Sequence, residues 1–167
     1  MSKVSVTSAS AHHAYPSPVV YTTCPYENRD GQFNPDVRRI NDTGAFSAMS
    51  DSIHYNALAW SIASDPQYAG NIVTAINTWF LDSSTRMNPH LNYAQLLRGP
   101  GEQKGSSVGV LDLKCMSKVV AGVLLLRESE APEWTQAMNE GLNGWAREYI
   151  GWLTSAPLAL AERAANK

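Results

Sequence analysis

The chain has 167 residues, 44% of them hydrophobic, which is enough for one domain with a buried core. Thirteen Lys and Arg against fifteen Asp and Glu leave a formal charge of −2, so there is no polybasic footprint for nucleic acid or for an anionic membrane surface. No apolar run approaches the roughly 20 residues of a membrane span, Met1 to Ala14 lacks the apolar core of a secretory signal, and Cys24 and Cys115 have neither the number nor the spacing of a disulfide framework or metal site.

Residues 1–22, rich in Ser, Thr, Ala, His and Pro without periodicity, read as an irregular leader, and residues 23–167 as the folded domain. His12 and His13 have no carboxylate nearby and read as part of a solvated tail. From Cys24 to Asn41 the chain is loop-like, with Asp30-Gly31 and Asn34-Pro35 as turn signals. This stretch brings Arg29, Arg38 and Arg39 close to two aromatics, as a cleft-edge loop or a solvated connection. The glycosylation-type triplet Asn41-Asp42-Thr43 is short enough to arise by chance.

A first helix is expected from Asp42 or Thr43, either of which can cap it, to about Ser64. Phe46, Met49, Ile53, Ala57 and Trp60 follow one helical face, and Tyr55, Leu58, Ala59 and Ile62 form a second apolar stripe. A helix apolar on two sides is expected between two neighbours. Asp65-Pro66 then supplies a cap and a first-turn proline for a second helix through Tyr68, Ile72, Ile76 and Trp79 to about Leu81, antiparallel to the first because the connection is short.

Thr85 to Gln95 breaks the helical pattern. Arg86, Asn88, Asn92, Tyr93 and Gln95 offer a guanidinium, three amides and a phenol around Pro89, groups that suit a ligand rich in hydroxyls and carboxylates. A surface loop whose Asn and Pro merely make turns has the same composition. The glycines between Arg98 and Ser107 lack the Gly-Lys-Ser/Thr ending and preceding strand of a phosphate loop.

A third helix is expected from Val110 to Arg127, with Asp112 in its first turn. There a carboxylate complements the helix dipole, and the competing reading is a cleft carboxylate. After Glu128 to Pro132, a fourth helix places Trp134, Met138, Leu142, Trp145, Tyr149 and Trp152 on one face, read first as core. Thr154-Ser155-Ala156-Pro157 should end it and cap a fifth beginning at Leu158. With no strand pattern, the elements imply an all-α stack of antiparallel helical hairpins.

Several ordered segments resemble one family, the alginate lyase domain of the polysaccharide lyases, particularly its fungal members. They are Cys24-Pro-Tyr, Arg29-Asp-Gly-Gln-Phe-Asn-Pro-Asp, Asn41-Asp-Thr-Gly-Ala-Phe, Tyr55-Asn-Ala-Leu-Ala-Trp, Asn77-Thr-Trp-Phe, Met87-Asn-Pro-His-Leu-Asn-Tyr-Ala-Gln, Gly109-Val-Leu-Asp-Leu-Lys-Cys-Met and Tyr149-Ile-Gly-Trp-Leu-Thr-Ser-Ala-Pro. The resemblance implies an all-α, incomplete α/α toroid, here about two and a half hairpins, around a cleft for an acidic polysaccharide such as alginate. It implies β-elimination at a uronate, no cofactor, and a secreted or periplasmic setting. Polar donors neutralise the uronate carboxylate, a base takes the adjacent proton, and an acid protonates the leaving glycosidic oxygen.

The resemblance also places the family's Asn-Asn-His motif, which carries the neutralising and base roles, just where this sequence reaches Asn166-Lys167. The expectation is a partial domain with little or no activity alone, its catalytic residues beyond Lys167. His90 stands where the family has asparagine and is not the family base. Arg29, Arg86, Asn88, Asn92, Tyr93 and Gln95 are expected to bind substrate. A non-catalytic helical carbohydrate-binding or interaction module, and a non-functional fragment, stay open as alternatives.

Overall fold

The computed structural model describes residues 41–96 and 105–165, and among these every regular element is helical. Helix α1 spans Asp42–Ala63 and is closed by Ser64, whose left-handed backbone (φ 52°) lets its N–H reach the Trp60 carbonyl at 2.8 Å. Its expected cap does not form. Asn41 holds the cap position without a side-chain bond, and Asp42 accepts from its neighbour, the Thr43 N–H, at 2.9 Å.

Helix α2 (Pro66–Ile76) starts as expected, with Asp65 accepting from the Gln67 N–H at 2.9 Å and Pro66 in the first turn. It runs on into a wider π-helical turn, Asn77–Leu81, that drives Phe80 fully into the core. The register with α1 is antiparallel: Phe46 meets Trp79 edge-on at 5.9 Å, and Asn71 donates to Asn56 at 2.9 Å.

The helix expected from Val110 is divided. Ser107–Leu113 winds as a tight 3-10 stretch, Lys114 and Cys115 turn, and α3 covers Met116–Glu128. Apolar spacing could not show the break, because Leu113, Met116 and Val119 recur every third residue and fit either winding. Helix α3 runs parallel to α1. Cys115 meets Ser47 at 3.5 Å, Lys118 forms an ion pair with Asp51, and the Trp60 indole donates to Ser129 at 2.8 Å. The two axes approach closely at Gly122, where even a Cβ would stand 2.7 Å from Cγ2 of Ile53.

Helix α1 thus lies between α2 and α3, but its second stripe does not make the contact. Tyr55, Leu58 and Ile62 are 65%, 42% and 88% exposed. The contacts come from the first stripe and its flanks, where Ile53, Ala57 and Trp60 are buried.

Helix α4 (Gln136–Ser155) is capped by Thr135, which accepts from the Met138 N–H at 3.3 Å, so Trp134 precedes the helix. It packs on the π turn, with Phe80 and Trp145 edge to face at 4.8 Å. Helix α5 (Pro157–Ala165) follows after one residue and lies against α4 and the 3-10 stretch. The hydroxyls expected to cap it turn back instead: Thr154 donates to the Ile150 carbonyl at 2.9 Å and Ser155 to Gly151 at 2.7 Å. Pro157 opens α5 at a position whose N–H would have no intrahelical partner. One core joins the elements through Phe46, Ile53, Ile72, Phe80, Leu126 and Trp145.

Gly122→Val tests the α1–α3 approach. Alanine would gain helix propensity along with the clash, whereas valine adds bulk against a β-branched neighbour with little such gain. Urea denaturation should show a loss of about 1–3 kcal/mol, while Gly144→Val, at a helical site with open space around it, should cost much less.

Candidate binding site on the loop after the second helix

Past the π turn the chain does not leave the protein. The Met87 N–H donates to the Trp79 carbonyl at 2.9 Å, and Met87, Leu91 and Ala94 are buried to 1%, 0% and 3% exposure. These three apolar residues recur every three or four positions, so the loop coils over them and turns Asn88, Asn92, Tyr93 and Gln95 outward. The buried Trp145 indole donates to the Met87 carbonyl at 2.9 Å, meeting a backbone oxygen that would otherwise be stranded in the core.

The returning chain fixes the other end. Gly105 donates to the Asn92 carbonyl at 2.7 Å and Ser106 to Ala94 at 3.1 Å. Glycine is required at two places by proximity: a Cβ on Gly105 would lie 2.7 Å from the Asn92 carbonyl oxygen, and one on Gly109 2.5 Å from that of Ala94. Gln95 closes the coil with a left-handed backbone, φ 47°.

Two side chains of the loop are held by groups from elsewhere in the fold. Asn92 Oδ1 accepts from the Trp152 indole at 2.7 Å, and Gln95 Nε2 donates to Asp112 Oδ1, also at 2.7 Å. Trp152 ends an aromatic ladder along α4. Trp145 and Tyr149 stack at 5.4 Å and 26°, and Tyr149 and Trp152 at 6.2 Å and 13°. The ladder runs from the core to the half-buried Trp152 beside the loop.

Asp112 was expected in the first turn of a helix. It lies near the carboxyl end of the 3-10 stretch, where the dipole offers a carboxylate nothing. Burial raises its pKa above the usual carboxylate value, against the lowering effect of hydrogen bonds from Gln95 and Thr43. Asp42 is raised as well, by burial first and then by the charge of Asp112. Burial, with Asp112 behind it, pushes the Tyr149 phenol up to about 12, so it stays protonated and can only donate or accept a hydrogen bond at neutral pH.

The remaining sequence candidates are dispersed. Tyr93 is 44% exposed and stands edge-on to His90 at 6.5 Å; the buried Nδ1 of His90 meets no hydrogen-bond partner among the described residues. Asn88 is exposed. Arg86, also exposed, lines a separate cleft of about 250 Å³ with Pro89, Trp145 and Glu148. That cleft runs back along α4 from Glu148 to Ala137, beginning about one turn, roughly 6 Å, before Trp152. Arg29 lies outside the described residues. The structure therefore brings Asn92 and Gln95 together with two residues not named as binders from sequence, Trp152 and Asp112. Trp152 stood in the row read as core, and only the position of the loop shows that its N–H faces a polar partner. Among the described residues no three His, Cys, Asp or Glu side chains are grouped to hold a metal ion, and no helix is long and apolar enough to cross a membrane.

Over residues 1–167 the chain matches the family model described as alginate lyase. It is also similar to the crystal structure of an alginate lyase from Bacteroides ovatus, with a TM-score of 0.72 and 30% identity, covering 82% of this chain and 35% of that one. The chain thus spans about a third of that protein's length. No curated protein matches it. With this likeness the helical hairpins are those of an incomplete α/α toroid.

The raised carboxylate at position 112 has a consequence for stability. A folded-state pKa above the unfolded value means that the folded chain holds its proton more tightly, so Asp112 costs stability as pH rises from the ordinary value of 3.8 through its raised value. Asp112→Asn, which keeps an acceptor for Gln95, should raise the thermal midpoint at pH 7. The gain should fade in scans taken below pH 3.8.

Proposed function

The chain belongs to the alginate lyase family, and on that premise we propose that its loop Met87–Gln95 forms part of a cleft in which an acidic, uronate-containing polysaccharide is cleaved by β-elimination. The observation that carries this reading is the anchored coil itself. Met87, Leu91 and Ala94 are locked into the core while Asn92, Tyr93 and Gln95 face outward from a backbone tied at both ends.

Elimination requires the proton beside the uronate carboxylate to leave, and negative charge then grows on that carboxylate. Donors already aimed at it stabilise this charge without having to reorganise. Asn92 is suited to this role, with Tyr93 as a further donor. A base must take the proton and an acid must return one to the glycosidic oxygen. We assign neither to a described residue: Tyr149 is buried and held protonated, and Asp42 and Asp112 would repel a uronate they touched directly. We therefore propose that the 167-residue chain alone binds polyuronate and eliminates it weakly or not at all. An extracellular or periplasmic setting fits a substrate too large to cross a membrane.

The test uses the purified chain with an oligouronate, binding measured by calorimetry and product by the ultraviolet absorbance of the unsaturated uronate. Asn92→Ala should weaken binding by roughly tenfold or more, as expected for a hydrogen bond to a charged group, and Tyr93→Phe by less. If both variants bind like the parent, the loop is not in the site.

A further inference from the structure

Resting on that reading, we infer that Trp152 and Asp112 are positioning residues that set the two loop amides in opposite senses, so that Asn92 presents a donor and Gln95 an acceptor to the ligand. Carboxamide oxygen and nitrogen differ little in shape, but here the partners decide between them. An indole N–H can only donate, so the Asn92 atom 2.7 Å from it is the oxygen, and the –NH₂ is left for a ligand. A carboxylate can only accept, so the Gln95 atom 2.7 Å from Asp112 is the nitrogen, which leaves the carbonyl.

The partners are themselves fixed. Trp152 is stacked on Tyr149 and Tyr149 on Trp145, the residue whose indole holds the Met87 carbonyl. The ladder that anchors the loop therefore also orients its first amide. Asp112 belongs to the 3-10 stretch that lies against Ala94 through Gly109. A uronate unit fits this pattern in one sense, with its carboxylate on the Asn92 donor and a hydroxyl on the Gln95 carbonyl. Reversed, the carboxylate would face a carbonyl backed by Asp112, which opposes it.

Trp152→Phe keeps a ring to stack on Tyr149 and removes the N–H donor. Affinity for an oligouronate should fall roughly 3- to 10-fold, the range of one net hydrogen bond, while affinity for the same oligosaccharide with its carboxyl groups reduced to alcohols should hold. Asp112→Ala should weaken both ligands alike, because Gln95 serves hydroxyls. Nitrogen-edited NMR of the free chain gives a readout without ligand: the Asn92 side-chain amide resonances should move in Trp152→Phe and the Gln95 ones in Asp112→Ala. Asn92→Asp, which still accepts from the indole, should keep the Trp152 N–H resonance and lose oligouronate affinity. The inference is overturned if the amide resonances stay put, or if Trp152→Phe loses both ligands equally or neither. A parent chain that binds no uronate at all overturns the functional reading instead, and the resonances still decide the positioning.

Discussion

A polar loop pushed into an apolar core has to find partners for its own backbone, and the hydrogen bond from the Trp145 indole to the Met87 carbonyl meets that demand at the deepest point. An unpartnered carbonyl there would cost about 1–3 kcal/mol, enough to favour lifting the loop away. With the bond in place, Met87 and Leu91 can stay fully buried and the segment behaves as part of the core. The π turn contributes by sending Phe80 inward against the same tryptophan and placing the Trp79 carbonyl to receive the Met87 N–H. Pre-organisation of this kind matters for a carbohydrate site, since ordering a free loop on binding would consume much of the interaction energy.

The acidic groups behind the loop show a different balance. Asp42 and Asp112 are both partly withdrawn from water, and the charge of Asp112 raises Asp42 further, an arrangement that works against stability at neutral pH. What the fold obtains from Asp112 is a fixed acceptor for Gln95. Strain of this sort is commonly kept where it orients a binding group. Tyr149 connects the two halves, stacked between the tryptophans and titrating only at about 12 because of burial and the nearby carboxylate.

The parallel pair α1 and α3, drawn together at Gly122, carries the 3-10 stretch at the amino end of α3, and that stretch carries Asp112 and Gly109 to the loop. The site thus depends on a helix packing that lies well away from it. The apolar residues of α1 that face outward, Tyr55, Leu58 and Ile62, take no part in this chain of support.

Much of this was legible in the residues themselves. The positions of α1, α2 and α4 follow from apolar recurrence at three and four, and the start of α2 from Asp65-Pro66, because both signals are local. The loop from Thr85 to Gln95 stands out by its amides and phenol, and motifs such as Met87-Asn-Pro-His-Leu-Asn-Tyr-Ala-Gln point to the family from the sequence alone. The rest was settled between segments distant in sequence. Which apolar stripe of α1 is buried depends on where α3 lies; the need for glycine at 109 comes from its approach to Ala94; and the two carboxamides acquire a direction only from Trp152, sixty residues away, and from Asp112, seventeen away. Composition identifies a group able to donate or accept, but the choice between the two is made by the partner that the tertiary structure sets beside it.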